Sequence, residues 1–207
     1  MKKKANLSFQ VLSSLLLILI ILYLLFSVFI FIKAYTAAYS IRELQNSHEI
    51  MRVKIYGSSY SSEGDTVSAS ISIIDSNGNE ISTVERSWSG SYLGLVFAKI
   101  SLYEKSFVFP MTVYGKSRIY QEAPSRFKGT HLEKYYNDFR QCMLLGHGSS
   151  FEERCKLYWL SAFATNKYLI PQFGLVNYIS LDLSGCKSEV YYSVIFEANG
   201  NISLVEI

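Results

Sequence analysis

From Ala5 to Ile32 the chain carries no charged residue, and from Val11 to Ile32 it is Leu, Ile, Val, Phe and Tyr interrupted only by Ser13, Ser14 and Ser27. Coiled as a helix, residues 11–32 span about 33 Å, which matches a bilayer hydrocarbon core of about 30 Å. A stretch this long and this apolar predicts a transmembrane helix. A cleaved secretory signal is the competing reading, with small residues on offer near Ala38. Signal cores usually run only about 7 to 15 residues, so retention as an anchor is the expectation. Lys2, Lys3 and Lys4 precede the run, whereas Lys33 and Arg42 follow it, with Glu43 beside the latter. By the positive-inside rule this puts the N-terminus in the cytoplasm and the rest of the chain outside it.

The remainder is long enough for one domain and too short to argue for two. The expected organisation is a basic N-terminus over 1–10, the span over 11–32, a helical stalk over 33–50 and an extracytoplasmic domain over 51–207. Much of the 49% hydrophobic content belongs to the anchor. With the four flanking lysines set aside, 16 Lys and Arg face 17 Asp and Glu. A nucleic-acid partner is not expected, because such binders present a basic face. The nearest candidate, Lys116, Arg118, Arg126 and Lys128, is broken by Glu122 and reads as a solvated loop.

In the stalk, Ala34, Ala37, Ala38, Ile41 and Leu44 recur at helical spacing. From Met51 the period becomes two: Val67, Ala69, Ile71 and Ile73 alternate with Thr66, Ser68, Ser70 and Ser72, as in a half-buried strand. Asn77-Gly78 predicts a tight type I′ hairpin to a strand over 80–87. Asn199-Gly200 predicts a second, joining 190–196 to 202–207. Apolar runs at 92–104, 107–114 and 174–183 read as further strands. Phe107, Phe109, Met111 and Val113 should share a face, and Pro110 marks an edge or bulge. Leu132, Tyr135, Tyr136, Phe139 and Met143 fall on one helical face, and another helix is expected from Ser150 to about Ala164. The expected fold class is therefore α+β: an antiparallel sheet or small sandwich of about six to eight strands with two short inserted helices.

Few residues suggest chemistry. Cys142, Cys155 and Cys186 are an odd set, and in an exported domain a Cys142–Cys155 disulfide with a leftover thiol is the expectation, ahead of free buried thiols and with Cys186 bonded to either partner as the alternative. An enzyme would need a thiolate at Cys142 with His131 or His147 as base and Asp138 to orient it, a set that also arises by chance within so short a segment. His48 reads as a solvated stalk residue. Gly146 to Ser150 precede a helix and could offer amides to an anion, but Ser150 with Glu153 reads first as a capping box. No metal-ligand spacing, cofactor fingerprint or hydrolase motif occurs, so no catalytic residue, metal or cofactor is assigned. Asn201-Ile202-Ser203 is a glycosylation acceptor pattern.

Tyr56, Tyr60, Trp88, Tyr92 and Trp159 are mostly expected in the core. Trp88 and Tyr92, in the Ser-Trp-Ser-Gly-Ser-Tyr segment, are expected on an exposed loop as a binding surface. The partners expected are membrane lipid for the helix and an envelope protein or glycan for the domain.

A short basic leader, an apolar helix continuing into an amphipathic stalk, and then an antiparallel sheet together resemble the layout of type IV pilins and pseudopilins. Gln10 stands where that family usually carries Glu, and Ala5 where it usually has Gly before the cleavage point. The resemblance covers about the first 50 residues and implies processing after Ala5 and assembly into a filament.

Overall fold

The computed structural model describes residues 2–41, 44, 47–59, 64–117, 129–197 and 200–207, with residues 2–10 as backbone. One continuous helix, α1 (Lys2–Ser40), leads into a sheet-rich domain. Among the described residues eight strands of five residues or more follow: β1 (His48–Ser59), β2 (Thr66–Ile74), β3 (Glu80–Ser89), β4 (Tyr92–Leu102), β5 (Lys105–Lys116), β9 (Val176–Asp182), β10 (Tyr191–Phe196) and β11 (Ile202–Glu206). Between β5 and β9 lie the two-residue strands β6 (Thr130–His131), β7 (Asn137–Asp138) and β8 (Gln141–Cys142), then α2 (Phe151–Ala164). The class is α+β, dominated by antiparallel sheet.

Two main sheets form, in the orders β11-β10-β1-β2-β3 and β6-β5-β4-β9. One apolar core joins Val53, Ile71 and Val194 of the first to Leu95, Phe97 and Phe109 of the second. The period-two pattern of residues 66–73 is realised on β2, whose Val67, Ala69, Ile71 and Ile73 are buried. Pro110 does mark a bulge: Phe97 opposes Pro110, Val96 opposes Thr112, and Met111 is skipped. The expected common face of β5 therefore breaks. Met111 turns to the opposite side with Val96 and Tyr114, while Phe107, Phe109 and Val113 stay in the main core.

The hairpins form where expected but with different turns. At Asp75–Asn79 only Gly78 has positive φ, and the bonds Gly78 N to Asp75 O and Asp75 N to Asn79 O close a wider loop than a type I′ turn. The buried Asp75 carboxylate accepts from the amides of Asn77 and Asn79, which holds that loop. The second Asn-Gly turn has Gly200 at φ 83°, with Asn199 outside the described residues. Type I′-like pairs of positive φ occur instead at Tyr103-Glu104, between β4 and β5, and at Phe139-Arg140, between β7 and β8.

The helix expected over 131–145 is replaced by β6, β7, β8 and two short 3-10 turns, Glu133–Tyr135 and Met143–Leu145. The left-handed pair at 139–140 is incompatible with a continuing right-handed helix. Of the residues expected on one helical face, Leu132 and Tyr136 are buried but Phe139 is 88% exposed. Tyr136 is anchored by its hydroxyl, which donates to the Pro110 carbonyl at 2.8 Å.

The second expected helix is α2, and it opens on the expected capping box: Ser150 Oγ accepts from the Glu153 amide, and the Glu153 carboxylate accepts from the Ser150 amide. These bonds hold the Glu153 carboxyl below its ordinary range. Ser150→Ala should cost about 1 kcal/mol in urea unfolding. An unchanged midpoint would show that the cap contributes nothing.

The stalk ends earlier than expected. α1 stops at Ser40, and His48, Glu49 and Ile50 already belong to β1, with the His48 ring edge-on to Phe196 at 5.8 Å. Ala34, Ala37, Ala38, Ile41 and Leu44 are all buried, as their spacing predicts. They join Ile30 and Phe163 in the main core. The Lys105 ammonium closes the helix end, donating to the carbonyls of Ala38, Tyr39 and Ile41 at 3.1 to 3.3 Å, where a cation suits the exposed carbonyls of a C-terminus.

Candidate functional site

Cys142 lies on β8 with no exposed surface, and burial pushes its thiol up to about 12. The charged form a nucleophile needs is thus suppressed. Asp138 and His147 are exposed whereas Cys142 is fully buried, and His131 is paired on β6 opposite Thr112. All three cysteines are free thiols, and the expected Cys142–Cys155 disulfide is not formed. Cys155 is half-buried on α2. Burial, with help from Asp182 and Glu206, pushes the Cys186 thiol up to about 11. N-ethylmaleimide at neutral pH should leave Cys142 unmodified in the folded protein and label it at once in urea. Rapid labelling of folded Cys142, read by peptide mass, would contradict its burial.

Trp88 is not a loop residue. β3 runs through to Ser89, the indole is 5% exposed, and its N–H donates to Thr130 Oγ1 at 3.0 Å. Strand alternation from Val84 puts Trp88 on the core side, and Thr130 covers it. Tyr92 is half-buried at the start of β4. Trp88 is therefore not exposed as the expected aromatic binding surface requires. The Gly146–Ser150 turn is also structural: Ser76 donates from its amide to Leu144 O and from its hydroxyl to Leu145 O. A Cβ on Gly146 would lie 2.5 Å from the Asp75 carboxylate. Of the basic stretch after β5, only Lys116 is described, and its ammonium pairs with Asp182.

The solvent face of the five-stranded sheet offers a more favourable geometry. A shallow groove of about 560 Å³ is lined there by Arg52, Tyr56, Ser70, Glu80, Thr83 and Tyr191, among others. Its side chains hydrogen-bond to one another. The Tyr56 hydroxyl donates to Glu85 at 2.8 Å, Thr83 donates to Glu80 at 2.6 Å, and Ser72 bonds Thr83 at 2.8 Å. Thr83, then Ser72, holds the Glu80 carboxyl below its ordinary range. Lys54 sits over the rings of Tyr56 and Tyr191, 5.4 and 5.2 Å from their centroids. Hydroxyls, carboxylates and tyrosine edges on an open surface can exchange hydrogen bonds with a polar or polyhydroxylated ligand. The sequence signal for this face is the polar half of the β2 alternation, Thr66, Ser68, Ser70 and Ser72, which the period of two turns away from the core.

A smaller cavity of about 290 Å³ lies between β6 and the segment after α2, lined by Met111, His131, Glu133, Thr165, Asn166, Lys167 and Leu169. His131 Nδ1, Glu133 Oε2 and Asn166 Oδ1 are buried there without a hydrogen-bond partner. Among the described residues no cluster of three or more His, Cys, Asp or Glu has metal-binding geometry.

Comparison with protein-family models, with curated proteins and with solved structures found no match to the chain.

Proposed function

We propose that this chain is a single-pass membrane-anchored protein, with its N-terminus cytoplasmic and its α+β domain extracytoplasmic, acting as a non-enzymatic binding or structural component of an envelope. The observation that carries the reading is the division of α1. Every residue from Val11 to Phe26 is exposed and nearly all are large and apolar, whereas Ile30, Ala34, Ala37, Ala38 and Ile41 are built into the domain core. A helix apolar on all sides needs lipid or other helices around it. Removal near Ala38 would strip core residues from the domain, which favours an uncleaved anchor over a signal sequence. The sheet groove suits an envelope protein or glycan as partner.

The test is alkaline phosphatase fused after Ile207, combined with carbonate extraction. Phosphatase activity with the protein kept in the membrane pellet is the expected result. An inactive fusion would overturn the orientation, and release by carbonate would overturn the anchor.

The pilin-like reading keeps one specific support: processing after Ala5 would leave the core intact and present a free apolar half-helix for bundling with other copies. Intact mass then reports an N-terminus at Asn6, and an unprocessed leader removes this reading.

A further inference from the structure

The helix is too long for the bilayer it is proposed to cross. The uncharged stretch from Ala5 to Ile32 measures about 42 Å as a helix against a hydrocarbon core of about 30 Å. The domain packs on Phe26, Phe29 and Phe31, which sets the span closer to the leader than the expected 11–32; with the basic residues at one surface the opposite hydrocarbon boundary falls near Leu24. The residues from Tyr23 onward are the ones that meet the domain. Phe26 packs edge-on to Tyr168 at 5.7 Å, Phe29 to Trp159 at 5.9 Å, and Phe31 to Phe173 at 6.5 Å. One bond fixes the height of the segment after α2: the Tyr23 hydroxyl donates to the Leu169 carbonyl at 2.8 Å. Tyr23 lies about 14 Å along the helix before Ile32. The 168–173 loop therefore reaches down the apolar helix to the level of the boundary.

The tips of that loop are unusual for a water-facing surface. Leu169 and Phe173 are 62% and 76% exposed, and both hold positive φ, 53° and 49°. Left-handed turn positions favour Gly, Asn or Asp, so a large apolar residue there is disfavoured both by its backbone and by its contact with water. Lys167 is exposed beside them, and Arg140, next to the exposed Phe139, acts electrostatically on Tyr168. Apolar tips, a Trp and a Tyr at one level and a cationic rim are the composition that settles at a lipid headgroup layer.

We infer that the loop carrying Leu169 and Phe173 rests in the interfacial layer of the bilayer that α1 enters, giving the domain a second lipid contact and a fixed seat on the membrane. This rests on the membrane-anchored reading above. The test uses the full chain in vesicles of phosphatidylcholine and phosphatidylglycerol, with Cys155 and Cys186 replaced by Ser and one environment-sensitive fluorophore placed by Leu169→Cys, Phe173→Cys, Ile18→Cys or Ile207→Cys. The expected result is blue-shifted emission and loss of intensity to spin-labelled lipid at 18, 169 and 173, with a water-like signal at 207. Quenching at 18 with water-like signals at 169 and 173 would overturn the inference and leave the anchor standing. A water-like signal at 18 as well would overturn both. Because the two loop positions are independent substitutions, failure of one variant to fold leaves the other to decide.

Discussion

Phe163→Ala is expected to lower the stability of the detergent-solubilised protein by about 3–5 kcal/mol, near the upper end for a single side chain. Phe163 is fully buried on α2, belongs to the main core, and meets the Phe31 ring of α1 at 5.9 Å. Its loss opens a cavity where the two helices meet, and the cavity cannot collapse without moving both. The midpoint of thermal unfolding should fall by on the order of 10 °C. Phe163→Leu, which keeps most of the volume, should cost much less. If Phe163→Ala shifts the midpoint by no more than an exposed substitution does, α1 and α2 do not share a core.

Gly115→Val is expected to be the second most damaging substitution, at about 3 kcal/mol or more. A Cβ at Gly115 would lie 1.9 Å from the Ser89 carbonyl oxygen and 2.6 Å from its carbonyl carbon. Both partners are backbone, so relief requires separating β5 from the end of β3, where the two sheets approach. Gly57→Ala is the control: no atom lies within 4 Å of that Cβ, and a change within about 0.5 kcal/mol is expected. Equal melting of the two variants would remove the close approach as a determinant of stability.

What could be read from the sequence was local and periodic. The buried helical stripe of Ala34, Ala37 and Ala38, the alternation on β2 and the Ser150–Glu153 cap each depend on spacing within one element, and each is present. Several of the misreadings depend on distant partners. Tyr103 holds φ 53° in a turn although nothing local favours it, with the rings of Tyr35 and Tyr39 packed against it from α1 at 4.4 and 5.6 Å. Trp88 looked like a loop residue until Thr130, 42 positions away, covered it. The 131–145 segment has a helix-like apolar spacing, but its side chains are drawn to several surfaces around Pro110 and α2. The sheet groove escaped notice because solvent-facing Ser and Thr on a strand carry no motif.

The three carbonyls gathered by Lys105 have a mechanical consequence. The helix terminus is not joined to the domain by its linker alone, because the β4–β5 hairpin grips it from the side. A pull or a twist applied along α1 is therefore delivered into the start of β5, whose neighbour in the sheet is β4. The domain moves with its helix as a handle moves with a blade, and a swivelling tether is not what this chain has built.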